Sequence, residues 1–242
     1  MGSADILFII VGFFSEIIGT MAGFGSSTIY LPLASYIYDF QTALVLVAIF
    51  HFFGNISRIA FFRHGLEKNI LLQFGLPSFI LSLIGATLVG YLSQTFLELM
   101  LGLFLIGISA TFILNPKLDF PTNGKFLVLG GAVSGFITGL VGTGGALRAS
   151  FLTGLKLEKE SYIATGAVIA LGADATRIPS YISAGFLSAQ YYYLIPLLFA
   201  TAVAGSYVGR KIVTRINQDK FKKIVLIGVI LISIKFILDS IA

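Results

Sequence analysis

Gly23-Phe24-Gly25-Ser26-Ser27 interrupts an apolar run near the start of the chain, and Gly142-Thr143-Gly144-Gly145 interrupts another 119 positions later. Glycine is a poor helix residue, so each cluster marks a break. The apolar piece after each break is short: 28–38 and 145–155 make helices of only about 16 Å, roughly half of a hydrocarbon core. The flanking pieces are longer. Apolar runs at 4–22, 41–62, 70–92, 96–114, 125–142, 161–183, 188–212 and 219–241 have about the length that a membrane crossing requires. The chain therefore reads as an all-α integral membrane protein in which each break is the tip of a re-entrant hairpin.

Composition agrees. Of 242 residues, 57% are hydrophobic and 11% charged, and the mean hydropathy is +0.96. A water-soluble domain carries more charge than this on its surface. The formal charge of +5 sits in short loops between apolar pieces, where it reports orientation and excludes nucleic acid as the partner. With no cysteine, disulfides and thiolate metal sites are ruled out. No metal-ligand cluster, cofactor motif, paired carboxylates or Ser/His arrangement suggests an enzyme, so no cofactor and no metal are expected. The first apolar run lacks a basic flank and leads into more hydrophobic sequence, so it is read as a permanent segment, not a cleavable leader.

The 119-residue shift also pairs Gly12 with Gly131, Arg58 with Arg177, Pro77 with Pro196 and Gly90 with Gly209, without a gap. This coincidence of rare landmarks predicts an internal duplication, with a first repeat at 1–114, a linker at 115–124 and a second repeat at 125–242. Loop charges relate the halves. The loop after 41–62 carries Arg63 and Lys68, and its counterpart near 184–190 carries none; Ser93-Gln94-Thr95 is uncharged, and its counterpart holds Arg210, Lys211, Arg215, Lys220, Lys222 and Lys223. By the positive-inside rule the repeats are inverted, each with three full crossings plus one hairpin, and both termini are non-cytoplasmic. Twelve of the 16 Lys and Arg residues, among them Lys117, Lys125, Lys156 and Lys159, then face the cytoplasm, as expected for a multi-pass protein of the cytoplasmic (inner) membrane. Lys235 is near enough to a helix end to snorkel. Arg58, Arg148 and Arg177 remain at membrane depth.

An arginine there is costly and normally faces a partner or a polar cavity. Arg58 and Arg177, at matched positions, are expected to approach one central site. Two readings of them stand: anion binding, or local neutralisation of Arg177 by Asp174 three residues earlier on the same helix face. Asn55, the counterpart of Asp174, cannot neutralise Arg58, which is expected to be left free for a ligand; Asp174 is assigned to an ion pair or to coupling. The half-helices after Gly23, Gly25, Ser26 and Ser27, and after Gly142, Thr143, Gly144 and Gly145, begin with unpaired N–H groups that attract anions. Ser26, Ser27, Thr28 and Thr143 add hydroxyl donors, and Arg148 lies in the first turns of the second half-helix. Helix packing accounts for scattered glycines such as Gly102 and Gly107. His51, with no carboxylate in its sequence neighbourhood, is read as a hydrogen-bonded core residue ahead of a proton relay. Glu16 either lines a cavity or pairs with an arginine.

Several of these stretches carry a family resemblance: Gly23-Phe24-Gly25-Ser26-Ser27 leading to Pro32, Arg63-His64-Gly65, Gly142-Thr143-Gly144-Gly145, Ala184-Gly185, and Gly209-Arg210-Lys211 through Lys222-Lys223. Over nearly its whole length the chain resembles the sulfite exporter TauE/SafE family, also called the four-toluene-sulfonate uptake permease family. The resemblance implies ATP-independent movement of sulfur-containing anions such as sulfite or organosulfonates. Two departures bear on the substrate: Ser26-Ser27 stand where the family usually has glycines, and Phe151 stands at the position matching Pro32. The expectation is a secondary transporter binding a small anion near the midplane; an anion channel on the same scaffold is the alternative. Its partners are the anion and membrane lipid, with self-association into a homo-oligomer left open. Labelling of single cysteines is expected to place Ser93 and Ser188 outside and Glu67 and Asn217 in the cytoplasm; Ser93 and Ser188 on opposite faces would refute the inverted arrangement.

Overall fold

A computed structural model describes residues 2–23, 25–62, 65–115, 121–213 and 218–241. Expectations resting on Phe24, the Arg63-His64 turn, residues 116–120 of the linker (with Lys117), Arg215 and Asn217 lie outside the described residues. The described chain is helical, with no strand: α1 (Ser3–Ala22), α2 (Ser27–Ala34), α3 (Phe40–Phe61), α4 (Lys68–Val89), α5 (Gln94–Leu114), α6 (Gly124–Val141), α7 (Gly145–Gly154), α8 (Lys159–Ser183), α9 (Leu194–Ile212) and α10 (Gln218–Ile241). Five of these, α1 and α3 to α6, are long and apolar enough to cross a membrane. Helices α8, α9 and α10 have the length but carry more polar residues.

Local chemistry sets the helix ends. Asp39, Ser93 and Asn123 accept hydrogen bonds from the N–H groups of Thr42, Phe96 and Phe126, which caps α3, α5 and α6. In α4 the stretch Leu71–Gly75 widens into a π-helical turn just ahead of Pro77, which has no N–H to donate and whose ring crowds the carbonyl four residues back.

The protein keeps its polar side chains inside. Glu16, Asn55, Asp174, Arg177 and Ser206 are fully buried, whereas Leu72, Leu103, Leu129, Leu231 and Leu238 stand out from the surface. Apolar groups all round the outside suit a lipid solvent, and this is a multi-pass membrane protein. Helix α3 is the most enclosed of the five crossings: it packs against α8 and α9, while α5 lies at the periphery against α10.

Helices α4 and α6 approach until backbones touch. A methyl group on Gly131, Gly135 or Gly139 would lie 2.1, 2.1 and 2.0 Å from the carbonyl oxygens of Phe74, Ser78 and Ser82. These glycines recur every fourth residue on one face of α6, and Gly85 of α4 faces Phe136 O in the same way at 2.3 Å. Small-residue stripes let membrane helices gain dispersion energy where no hydrophobic effect drives them together. Gly102 serves packing as expected, against Ile237, but Gly107 has nothing among the described residues within 4 Å, so the packing expectation fails there. Gly135→Ala is expected to cost about 1–3 kcal/mol by forcing the helices apart. Gly107→Ala is expected to be neutral or to stabilise by up to about 1 kcal/mol through helix propensity. Thermal denaturation in detergent compares the two.

Candidate functional site

The first break begins where Gly23, at φ 76°, caps α1 by donating its N–H to Gly19 O at 3.1 Å. Gly25 comes next at φ 84°, so the chain reverses and starts α2 within a few residues. Gly19 has no side chain to obstruct this: a methyl group there would lie 2.4 Å from Ser26 N. In the second break Gly142, at φ 80°, caps α6 with its N–H on Thr138 O. Both conformations lie in the left-handed region that favours glycine. The two breaks touch. Thr28 Oγ1 and Thr143 Oγ1 are 3.0 Å apart, and Ser27 Oγ donates to Thr143 Oγ1 at 3.4 Å, so these hydroxyls are spent largely on one another.

The arginines are the main correction to the sequence reading. Arg58 is not free: its Nη2 donates to Glu16 Oε1 at 2.6 Å, Nη1 to Asn55 Oδ1 at 2.7 Å and Nε to Thr20 Oγ1 at 3.2 Å. Glu16 is 42 residues away in sequence, so no local spacing disclosed it. Its carboxylate also accepts from Ser206 Oγ at 2.6 Å, in space left by Gly54 and Gly205. Arg177 lies against Asp174, three residues before it. Asp174 Oδ1 lies 2.9 Å from its Nε and 2.8 Å from its Nη2, while Nη1 donates to Gly142 O at 2.7 Å and Thr138 O at 3.2 Å. Arg177 thus caps the carbonyl end of α6 and fills the second break from behind.

His51 is a buried, hydrogen-bonded histidine, and its partner is a carboxylate that its sequence neighbourhood does not contain. Its Nδ1 lies 2.9 Å from Asp174 Oδ2, brought from 123 residues away. Asn55 Nδ2 donates to the same oxygen at 3.0 Å, so Asn55 bridges Arg58 to Asp174. A continuous polar chain results: Ser206, Glu16, Arg58, Asn55, Asp174, Arg177, Gly142.

Arg148 stands apart from it. The side chain is 6% exposed and has no hydrogen bond or ion pair among the described residues. Its guanidinium borders a cleft with Arg58, Thr20, Gly23, Gly25 and Tyr162; the cleft encloses about 370 Å³ of empty space, its open mouth included. Within the buried network and this cleft, three arginines face two carboxylates, Glu16 and Asp174, which leaves one positive charge without a counterion. An unpaired buried charge is too costly to persist in a dry interior, so the cleft must supply water or an anion.

Of the residues singled out in the sequence, Gly23, Gly25, Arg58 and Arg148 line the cleft, whereas Asn55, Asp174 and Arg177 lie in the polar chain. Ser26, Ser27, Gly142, Thr143, Gly144 and Gly145 are buried and do not line it; a methyl group on Gly144 would lie 2.2 Å from Thr138 Oγ1. The Ser26 hydroxyl has no partner among the described residues. Thr20 and Tyr162 escaped notice in the sequence. Thr20 had a signal, being one helical turn beyond Glu16 on the same face; Tyr162, in the first turn of α8, has none.

Among known proteins, the family model described as Sulfite exporter TauE/SafE matches residues 8–236. A probable membrane transporter protein of Methanocaldococcus jannaschii is 26% identical over 231 residues, which covers 88% of this chain and 86% of the relative. No solved structure matches the chain.

The Glu16–Arg58 pair makes a direct prediction. Glu16→Gln leaves a buried guanidinium without its counterion and is expected to lose about 3–5 kcal/mol of stability. Glu16→Gln combined with Arg58→Gln is expected to regain part of that loss. A double-mutant cycle by thermal denaturation checks the coupling, and additive losses would show that the pair does not exist in the folded protein.

Proposed function

Because the chain belongs to the sulfite exporter TauE/SafE family, we propose that it is a secondary transporter of small sulfur-containing anions (sulfite, an organosulfonate or a related oxyanion), bound near the midplane against Arg148. The observation that carries this reading is the unpaired, buried Arg148 beside a cleft that also contains Arg58 and the first glycine break. A monoanion there supplies the missing counterion. The guanidinium fork matches two oxygens of a sulfonate or sulfite, and it stays charged at every relevant pH. The N-terminus of α7 adds a favourable partial charge beside Arg148.

Inverted repeats are part of the proposal, with the first at 1–114 and the second at 125–242 joined by the linker 115–124. Several observations support them. Counterparts at the 119-residue shift keep counterpart neighbours: α1 packs on α9 as α6 packs on α4, and α3 packs on α9 as α8 packs on α4. Asn55 and its counterpart Asp174 hydrogen-bond directly, as residues beside an axis between two halves would. With the basic loops in the cytoplasm of an inner-membrane protein, both termini are non-cytoplasmic and lipid surrounds the apolar outer faces. The cleft then lies between the first break and the cytoplasmic start of α8, since Tyr162 is three residues past Lys159. On the other side of Gly25 the His51, Asp174 and Arg177 side chains are buried, which favours a carrier open on one side at a time over a continuous channel.

A thermal-shift screen of sulfite, sulfate, thiosulfate and small sulfonates against the purified protein tests the substrate class, because a ligand of the native state raises its melting temperature. Arg148→Gln is expected to lower affinity for the best ligand at least tenfold, corresponding to about 1.5–3 kcal/mol for a charge-assisted hydrogen bond. The unliganded variant is expected to melt higher than the wild type, since an uncompensated charge has been removed. Unchanged affinity in Arg148→Gln would remove that residue from the site.

A further inference from the structure

His51 is 3% exposed and lies in α3. Its Nδ1 lies 2.9 Å from Asp174 Oδ2 and 3.2 Å from Asn55 Nδ2; Asn55 Nδ2 already donates to Asp174 Oδ2 at 3.0 Å and a carboxylate only accepts, so the hydrogen is assigned to Nδ1 and the neutral ring presents a bare lone pair at Nε2. Nε2 is buried and has no partner among the described residues. The space into which it points is the missing side chain of Gly25: a methyl group on that glycine would lie 2.7 Å from His51 Nε2 and 3.7 Å from Arg148 Nη2. Gly25 and Arg148 both line the cleft. A lone pair aimed toward an anion is repelled by it, whereas an N–H in the same place donates to it.

On the reading that the cleft holds an anion, we infer that His51 takes up one proton at Nε2 for each anion bound, so that the protein moves the two together. The proton comes from water in the open cleft. It forms the Nε2–H bond, the ring becomes an imidazolium held by Asp174, and the proton returns to water when the anion leaves. No bond of the anion is made or broken.

The charges around His51 give the coupling its sign. They are Asp174 and Arg177 of α8, Arg58 on α3 itself, Arg148 of α7 across Gly25, and Glu16 of α1, which is engaged by Arg58. Three cations against two anions leave a positive surplus that opposes a second proton-borne charge. A bound monoanion cancels the surplus, so each ligand favours the other by the same factor. With a sulfonate the pair is electroneutral.

Isothermal titration of the full-length protein with methanesulfonate, in bis-Tris and in Tris, tests this. Methanesulfonate remains fully ionised, so a dependence of the measured heat on the buffer's ionisation heat counts protons taken up by the protein. The expected result is about one proton per anion near neutral pH, with affinity weakening by up to about tenfold per pH unit as pH rises. In His51→Gln the proton count is expected to fall toward zero and the pH slope to flatten. Wild-type binding without proton uptake, or the same uptake in His51→Gln, overturns the inference and leaves the anion site standing. Where His51→Gln fails to fold, the wild-type count and slope still decide. If neither methanesulfonate nor sulfite binds the wild type, the anion reading falls and this inference falls with it.

Discussion

Charge buried where water cannot follow is the constraint on which the rest of this protein depends. Glu16, Arg58, Asp174 and Arg177 sit in four places along the sequence, on three helices, and each is at most 5% exposed. None would be tolerated alone, because removing a carboxylate or guanidinium from water costs several kcal/mol unless a partner offsets it. The fold brings them into one polar chain that passes from Ser206 of α9 through α1 and α3 to α8 and ends on the carbonyl of Gly142. Gly54 and Gly205 make the space for Glu16; a side chain at either would collide with it.

On the proposed duplication, the polar chain is also where the two repeats differ. Arg177 reaches back to the carbonyls of Thr138 and Gly142, so the second break is stoppered by a guanidinium. Arg58, its counterpart, is drawn instead to Glu16 and Thr20, and the first break is left facing the cleft. All three partners of Arg58 differ from the residues 119 positions on: Gly135 matches Glu16, Gly139 matches Thr20 and Asp174 matches Asn55. Arg148, with the apolar Ile29 as its counterpart, then becomes the surplus cation.

Different forces hold the neighbouring seams. Between α4 and α6 the glycine stripe brings backbones into contact, and dispersion over a large, closely fitted area does the work. Between α1 and α9 the Glu16–Ser206 hydrogen bond adds a polar tie beside the cleft. In membranes such polar ties are worth about a kcal/mol on average, because the competing state also finds partners. Their value here lies in fixing where Arg58 points.

The sequence alone determined the solvent, the helices and the breaks. Composition points to lipid; run lengths separate α2 and α7 from the longer helices; the glycine clusters mark breaks. These are local properties, set by residue type, spacing and backbone sterics over a few turns; the breaks fall where the sequence predicts them, and five of the eight long runs are helices long and apolar enough to cross a membrane. The family was legible too, through glycine and basic motifs that span nearly the whole chain. The matched positions of Arg58 and Arg177 were visible, and so was the Asp174–Arg177 pairing, since three residues on a helix put both on one face. Partner choice over distance was not. Glu16 meets Arg58 across 42 residues and His51 meets Asp174 across 123, and no periodicity carries information over such separations. Only the packed helices decide which buried charges neutralise each other and which one is left over. That selection moved the free cation from Arg58 to Arg148 and gave His51, read as a hydrogen-bonded core residue, a carboxylate as its partner.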